Sequence, residues 1–153
     1  LVISGITGKK GFSSIFIAKS HIASEVGVLK EALDVISKYN ISVESVATGI
    51  DSFSIVVESE RVENDLYDLM NNLGKVLETD NITIEDNMAM VAIVGRKLKN
   101  YKGFSGKLFS TLGKNDINIK LISQTSDEIS IILGVDEKDF EKTINVVYKG
   151  FIK

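Results

Sequence analysis

The sequence predicts an α+β fold: two ferredoxin-like βαββαβ copies, each an antiparallel sheet with helices on one face, the first copy inserted into the second. Three observations lead there. A weak repeat recurs at an offset of 76 residues: Ile17 meets Ile93, Gly27 meets Gly103, Lys38 meets Lys114 and Ile41 meets Ile117. The offset is expected to run without a gap through Asp51, Ser54 and Ile55, which meet Asp127, Ser130 and Ile131. A period this long marks two copies of a small domain, not a solenoid of short units. Within each copy, apolar spacing follows the order of a split βαβ unit. The second copy lacks a fourth strand after its last helix, while Leu1 to Ile6 is an unused apolar segment that can supply it. The expected domains are therefore 12–86, and 1–11 together with 87–153.

The elements follow in order. Ser14 to Lys19 alternates as a strand, and Val28, Leu29, Ala32, Leu33, Val35, Ile36 and Tyr39 recur at helical spacing, ended by Asn40. Ile41 to Ala47 and Ser52 to Glu58 are strands around the turn residues Thr48-Gly49-Ile50-Asp51. Val62, Leu66, Leu69, Met70 and Leu73 form a second helical stripe, followed by a strand at Ile82 and Ile84. The second copy has a strand at Met90 to Val94, a helix at Gly103 to Leu112, and strands at Ile117 to Ile122 and Glu128 to Leu133. Phe140, Ile144, Val147 and Tyr148 mark its last helix, with Asp136 as N-cap.

Composition narrows the function. Hydrophobic residues at 44% and charged residues at 25% belong to a globular chain. A net charge of -3 speaks against a nucleic-acid surface, which is usually basic. With no cysteine, thiolate metal sites and a cysteine nucleophile are ruled out, and a reducing cytoplasm fits. No apolar run approaches the ~20 residues of a membrane span. The chain opens without methionine in what looks like a strand, and reads as a fragment of something longer.

No catalytic set emerges. His21, the one histidine, lies in a polar loop without an evident partner. Gly5-Ile6-Thr7-Gly8-Lys9-Lys10-Gly11 lacks the spacing of a phosphate-binding loop and is expected to be a turn between two strands. Glu58, Glu60 and Glu63, and Asp80, Glu85 and Asp86, read as solvated faces, and no metal-ligand set is expected.

The informative place is the start of each copy's first helix. Ser24-Glu25-Val26-Gly27-Val28-Leu29 matches Asn100-Tyr101-Lys102-Gly103-Phe104-Ser105. A glycine there permits close approach of other backbone and leaves N–H groups free at a positive helix end, which attracts a carboxylate. In the next strand, Glu44 can meet an ammonium. Together these would satisfy an α-amino acid; equally, Gly27 can be a tight helix start and Glu44 an exposed strand residue. The counterpart of Glu44 is Lys120, which would repel an ammonium, so any amino-acid site is expected in the first copy.

Asn40-Ile41-Ser42-Val43-Glu44 with Thr48-Gly49-Ile50-Asp51-Ser52 resembles the first ACT domain of aspartokinases. Ala89 to Gly95, Asp116 to Gln124 and Ser126 to Ile131 resemble their second, Val146 to Phe151 their C-terminus, and Ile3 to Thr7 the strand joining kinase and ACT regions. The resemblance implies the regulatory part of an ATP- and Mg²⁺-dependent kinase that phosphorylates aspartate, the first step toward lysine, threonine and methionine. This part would itself be non-catalytic and without a cofactor, the kinase domain lying N-terminal and absent. It implies a cytoplasmic homodimer through the ACT domains, binding an end-product amino acid, lysine before threonine, where first ACT domains meet. By position, the effector site would comprise Ser24, Gly27, Val28, Leu29, Ser42, Val43, Glu44 and Thr48, with Glu25 and His21 near a lysine side chain. Ile22-Ala23 stands where relatives often carry Met-Asn, Val28 where they often carry Phe, and Thr125 where they carry glycine. A stand-alone ACT sensor, or the regulatory subunit of another biosynthetic enzyme, is the alternative. An acylphosphatase-like enzyme lacks a phosphate-cradling loop here, and an RNA-binding domain would show exposed aromatics on its sheet.

Overall fold

A computed structural model describes residues 3–20, 27–79, 81–124 and 130–152. The chain divides into two compact units, one of Gly11–Asp86 and one of Leu1–Lys10 with Asn87–Lys153. The strands are β1 (Gly5–Ala18), β2 (Val43–Thr48), β3 (Ser52–Glu58), β4 (Asn81–Val94), β5 (Ile119–Gln124) and β6 (Ser130–Asp136). The helices are α1 (Val28–Ser37), α2 (Ser59–Val62), α3 (Leu66–Leu77), α4 (Phe104–Lys114) and α5 (Phe140–Val147). Hydrogen-bonded strand neighbours follow the order β2-β3-β1-β4-β6-β5. The ladders β1–β3, β2–β3, β4–β6 and β5–β6 are all antiparallel.

In the first unit, Ile15 and Ile17 of β1 and Phe53, Ile55 and Val57 of β3 point to one face of the sheet. There they meet Ala32, Val35 and Ile36 of α1 and Leu69, Leu73 and Leu77 of α3. Period two on the strands and 3.6 on the helices deliver these side chains to a common core. The second unit repeats the arrangement with Ala89, Val91 and Ile93 of β4 and Ile131, Leu133 and Val135 of β6. Phe104, Leu108 and Leu112 of α4 and Val147 of α5 cover them.

The segment expected to be a turn, Gly5 to Gly11, is instead part of the single 14-residue strand β1. The strand lies beside β4; the residue just before it, Ser4, donates its N–H to the Val94 carbonyl at 2.8 Å, and Ile6 packs on the second unit's core. Within the strand Gly11 has φ 90°, a conformation that suits glycine. The strands expected separately at Ile82 and at Met90 likewise join as β4, with Asn87 at φ 58° within it. Among the described residues no strand follows α5. Tyr148–Ile152 forms a π-helical turn, and Phe151 packs edge-on against Phe104 with ring centroids 5.2 Å apart. The long second stripe of the first copy breaks at Asp65 into α2 and α3. Glu128, expected to open a strand, lies outside the described residues.

Sheet register also corrects the repeat. Ile17 faces Phe53, and Ile93 faces Ile131. Phe53 therefore corresponds to Ile131, 78 rather than 76 residues on, and Glu58 corresponds to Asp136. The offset of 76 does hold through the helix start and β2, since Thr48 faces Phe53 and Gln124 faces Ile131. Two more residues separate β5 from β6 than separate β2 from β3.

Candidate functional site

Gly27 sits immediately before α1 with φ 83° and ψ 12°, and Gly103 before α4 with φ 81° and ψ 6°. Both are left-handed, where an L side chain is strained, and no atom of the described residues lies within 4 Å of the position a Cβ would take. Their carbonyls accept the first helical bonds, from Glu31 N–H at 2.9 Å and Lys107 N–H at 3.1 Å. No side chain caps either helix among the described residues. The first-turn N–H groups of such a helix have no intrahelical acceptor and carry the positive end of the helix dipole. Val28 is buried and anchors the helix, so any part it plays with a ligand falls to its backbone; Leu29 is half-buried.

Ser42, Val43, Glu44 and Thr48 are all exposed on or beside β2, the outermost strand of the first unit in the pairing order. The β2–β3 register slips between Val43 and Ser45, so Glu44 is the extra residue of a bulge. A bulge re-aims the side chain it frees from the ladder. The second unit has its bulge at the same place, between Ile119 and Leu121, and Lys120 occupies it. Lys120 Nζ stands 3.7 Å from Asp136 Oδ2. Asp136, expected to cap α5, instead caps the 3-10 turn Glu137–Asp139 ahead of it, accepting Lys138 N–H at 3.1 Å, and Asp139 takes the N-cap position of α5. Sequence reading missed the ion pair because the gapless offset gives Asp136 the wrong counterpart, and because the bulge that turns Lys120 toward it is a feature of strand pairing.

These residues do not form one cluster within a single chain. Lys19 N–H bonds the Asp51 carbonyl, and Thr79 Oγ1 donates to the Ala18 carbonyl, so the C-terminal ends of β1 and α3 lie together with Thr48. The C-terminal end of α1 is tied to the first half of α3. Tyr39 Oη donates to Asp68 Oδ2 at 2.6 Å, and Asn72 Nδ2 donates to Tyr39 Oη. Helix α1 therefore runs antiparallel to α3, and Gly27 starts it at the Thr48 end. Glu44 is at the other end of β2, about 13 Å from Thr48 along the strand. Asp68 holds the Tyr39 hydroxyl above its ordinary pKa, because the carboxylate accepts its proton and opposes a second negative charge.

Ser24, and with it His21, Ile22, Ala23 and Glu25, lies outside the described residues, as does Thr125. Glu58, read as a solvated face, is mostly covered: its side chain is 21% exposed and its Oε2 is 3.8 Å from Arg61 Nε. Asp86 is exposed, as a solvated face requires, and accepts the buried Ser13 hydroxyl at 2.7 Å. An open groove of ≈ 400 Å³ runs beside α3, lined among others by Met70, Gly74, Lys75 and Ile82, and holds none of the expected site residues. Among the described residues there is no group of three metal-ligating side chains, and no helix long and apolar enough to cross a membrane. With Gly5 to Gly11 paired as a strand, its backbone N–H groups do not form a phosphate cradle.

Residues 91–151 match the model of an ACT domain. Aspartokinase 3 of Bacillus subtilis is 26% identical over 97% of this chain and 33% of that protein. The crystal structure of Clostridium acetobutylicum aspartate kinase, an allosteric enzyme, superposes with a TM-score of 0.94. It is 38% identical and covers 98% of this chain and 35% of that one. This chain is an ACT-domain region of the aspartokinase type. It spans about one third of the length of the aspartokinases it matches. The fold is also that of E. coli aspartokinase III, solved in complex with lysine and aspartate, with a TM-score of 0.82 at 18% identity over 99% of this chain and 34% of that one.

Proposed function

We propose that this ACT region is the amino-acid sensor of an aspartate kinase, and that the effector binds between two copies of the chain. The observation that carries the reading is the division of the site. The first-turn N–H groups of α1, after Gly27, suit a carboxylate and the carboxylate of Glu44 suits an ammonium, yet the two lie at opposite ends of β2. A two-fold relation that sets two β2 edges antiparallel brings Glu44 of each copy to the Gly27 and Thr48 end of the other. Ser24, Ser42 and Val43 would complete each site. The aspartokinase III complex supports lysine ahead of threonine as the effector.

On this reading the chain senses and does not catalyse. ATP, Mg²⁺ and aspartate would act on a kinase region outside it, in the cytoplasm, and the unit Gly11–Asp86 would be the first ACT domain, nested in the second. The effector favours the paired arrangement and biases the kinase through it, a coupling typically worth ~1–3 kcal/mol. Only differential affinity for two arrangements can produce such a shift.

Calorimetric titration of the chain with lysine, threonine and methionine tests this. One of them is expected to bind saturably, and Glu44→Ala to weaken it at least ~10-fold while the circular dichroism stays unchanged. Binding that Glu44→Ala leaves intact would remove Glu44 from the site.

A further inference from the structure

We propose that the groove beside α3 is a binding site in its own right, and that it takes a small organic anion with an apolar body and no amine. The inference stands apart from the effector site proposed above, none of whose residues lines the groove. Its volume of ≈ 400 Å³ falls among small-molecule pockets, which span about 300–1,000 Å³.

Two rows of α3 shape the groove. Tyr67, Asn71 and Lys75 follow one another at i, i+4 and i+8, so they share a face, about 6 Å apart along the helix axis. All three are hydrogen-bond donors: a phenol, a carboxamide and an ammonium. Among the described residues none of them has a hydrogen-bond or ionic partner, and Tyr67 leaves a whole ring in water at 88% exposed. Met70 and Gly74 form the next row, and Ile82 of β4 completes the apolar floor. Glycine inside a helix costs about 0.5–1 kcal/mol against alanine. A Cβ on Gly74 would stand 3.3 Å from the Thr79 carbonyl oxygen and 3.9 Å from Ile82 Cδ1, both groove residues. The absent side chain is therefore part of the opening.

Charge decides the ligand. The chain carries 21 acids against 18 lysines and arginines, yet the groove is lined by one cation, Lys75, and by no carboxylate. Asp68, next to Tyr67 in sequence, is engaged by the Tyr39 hydroxyl at 2.6 Å. An anion at Lys75 gains a charge-assisted hydrogen bond, and Asn71 and Tyr67 can donate further along the same row. The apolar body of the ligand then covers Met70 and Ile82. An α-ammonium would meet no acid, which separates this ligand from an amino acid.

Phenylbutyrate, an apolar body ending in a carboxylate, and phenylbutyramide, its uncharged counterpart, are the probes. Each is titrated into isotope-labelled chain and followed by backbone amide chemical shifts. Saturating shifts are expected along α3 and at Ile82, with phenylbutyrate binding about five-fold tighter or more than the amide. Lys75→Gln should bring the two within about two-fold, and Lys75→Arg, which keeps the charge, should retain the preference. Val76→Ser alters an exposed apolar side chain of the same helix outside the groove and should change neither affinity. Shifts that do not saturate, or that gather at Gly27 to Leu29 and leave α3 unmoved, would overturn the inference. So would a preference for phenylbutyrate that survives Lys75→Gln, which would place the anion elsewhere. An equal loss in Val76→Ser would do the same, by reducing the binding to general adhesion to apolar surface.

Discussion

Replacing Gly8 by alanine tests whether residues 5 to 11 are a strand or a turn. A Cβ on Gly8 would stand 2.6 Å from Phe140 Cε1 and 2.8 Å from the Met90 carbonyl oxygen. The phenyl ring can swing. The carbonyl belongs to β4 and cannot retreat without disturbing the ladder to β6. Over-packing of this kind costs about 1–3 kcal/mol. Gly5 is the internal control: no atom of the described residues lies within 4 Å of its would-be Cβ, so Gly5→Ala should change stability by no more than about 0.5 kcal/mol. Urea denaturation followed by far-ultraviolet circular dichroism reads both, compared through shifts in midpoint at constant slope. If Gly8→Ala is as stable as Gly5→Ala, the segment does not pack against α5 and β4, and the strand assignment of residues 5 to 11 is wrong.

Leu108→Ala removes a fully buried side chain from the second unit's core and should cost about 2–5 kcal/mol, whereas Ile50→Ser, at a turn position 82% exposed, should stay within about 0.5 kcal/mol in the same denaturation series. The Tyr39 hydroxyl, raised above its ordinary 10.0 by Asp68, contributes stability that is complete below that value and is lost as pH rises through the folded-state pKa. Tyr39→Phe should therefore lose the part of the alkaline decline due to this group, read as stability against pH between about 9 and 12.

The core was the legible part. Ile15, Ile17, Val35, Ile36, Leu69 and Leu73 read as core-facing from period alone and are buried, because periodicity records which face meets water. The two glycines ahead of α1 and α4 were also visible, since only glycine takes φ near 80° without strain. Length was less legible. Gly5-Ile6-Thr7-Gly8-Lys9-Lys10-Gly11 carries turn residues and lysines, yet it is held in the sheet by ladder bonds and by a slot that only a missing Cβ leaves open. Local propensity gives no sign of a partner 80 residues away. Register was the other loss. Apolar alternation repeats every two residues, so a two-residue gap preserves the pattern and hides itself; only the pairing of Ile93 with Ile131 reveals it. The bulges at Glu44 and Lys120, and with them the ion pair to Asp136, are features of pairing and have no signature in one strand.

A site divided between copies has a consequence that a site within one copy lacks. If Gly27 and Glu44 cooperate only across two chains, the effector binds the pair and not the single chain, and binding and pairing must strengthen each other by the same factor. Diluting the chain should then weaken apparent effector affinity, and saturating effector should lower the dissociation constant of the pair. An effector that binds a hundred-fold better to the pair at each of two sites would strengthen pairing by about 10⁴-fold, roughly 5.5 kcal/mol. Sedimentation velocity across a concentration series, with and without lysine, measures this directly. An effector that binds a demonstrably monomeric chain with undiminished affinity would place the whole site within one copy, which the positions of Gly27 and Glu44 at opposite ends of β2 do not allow.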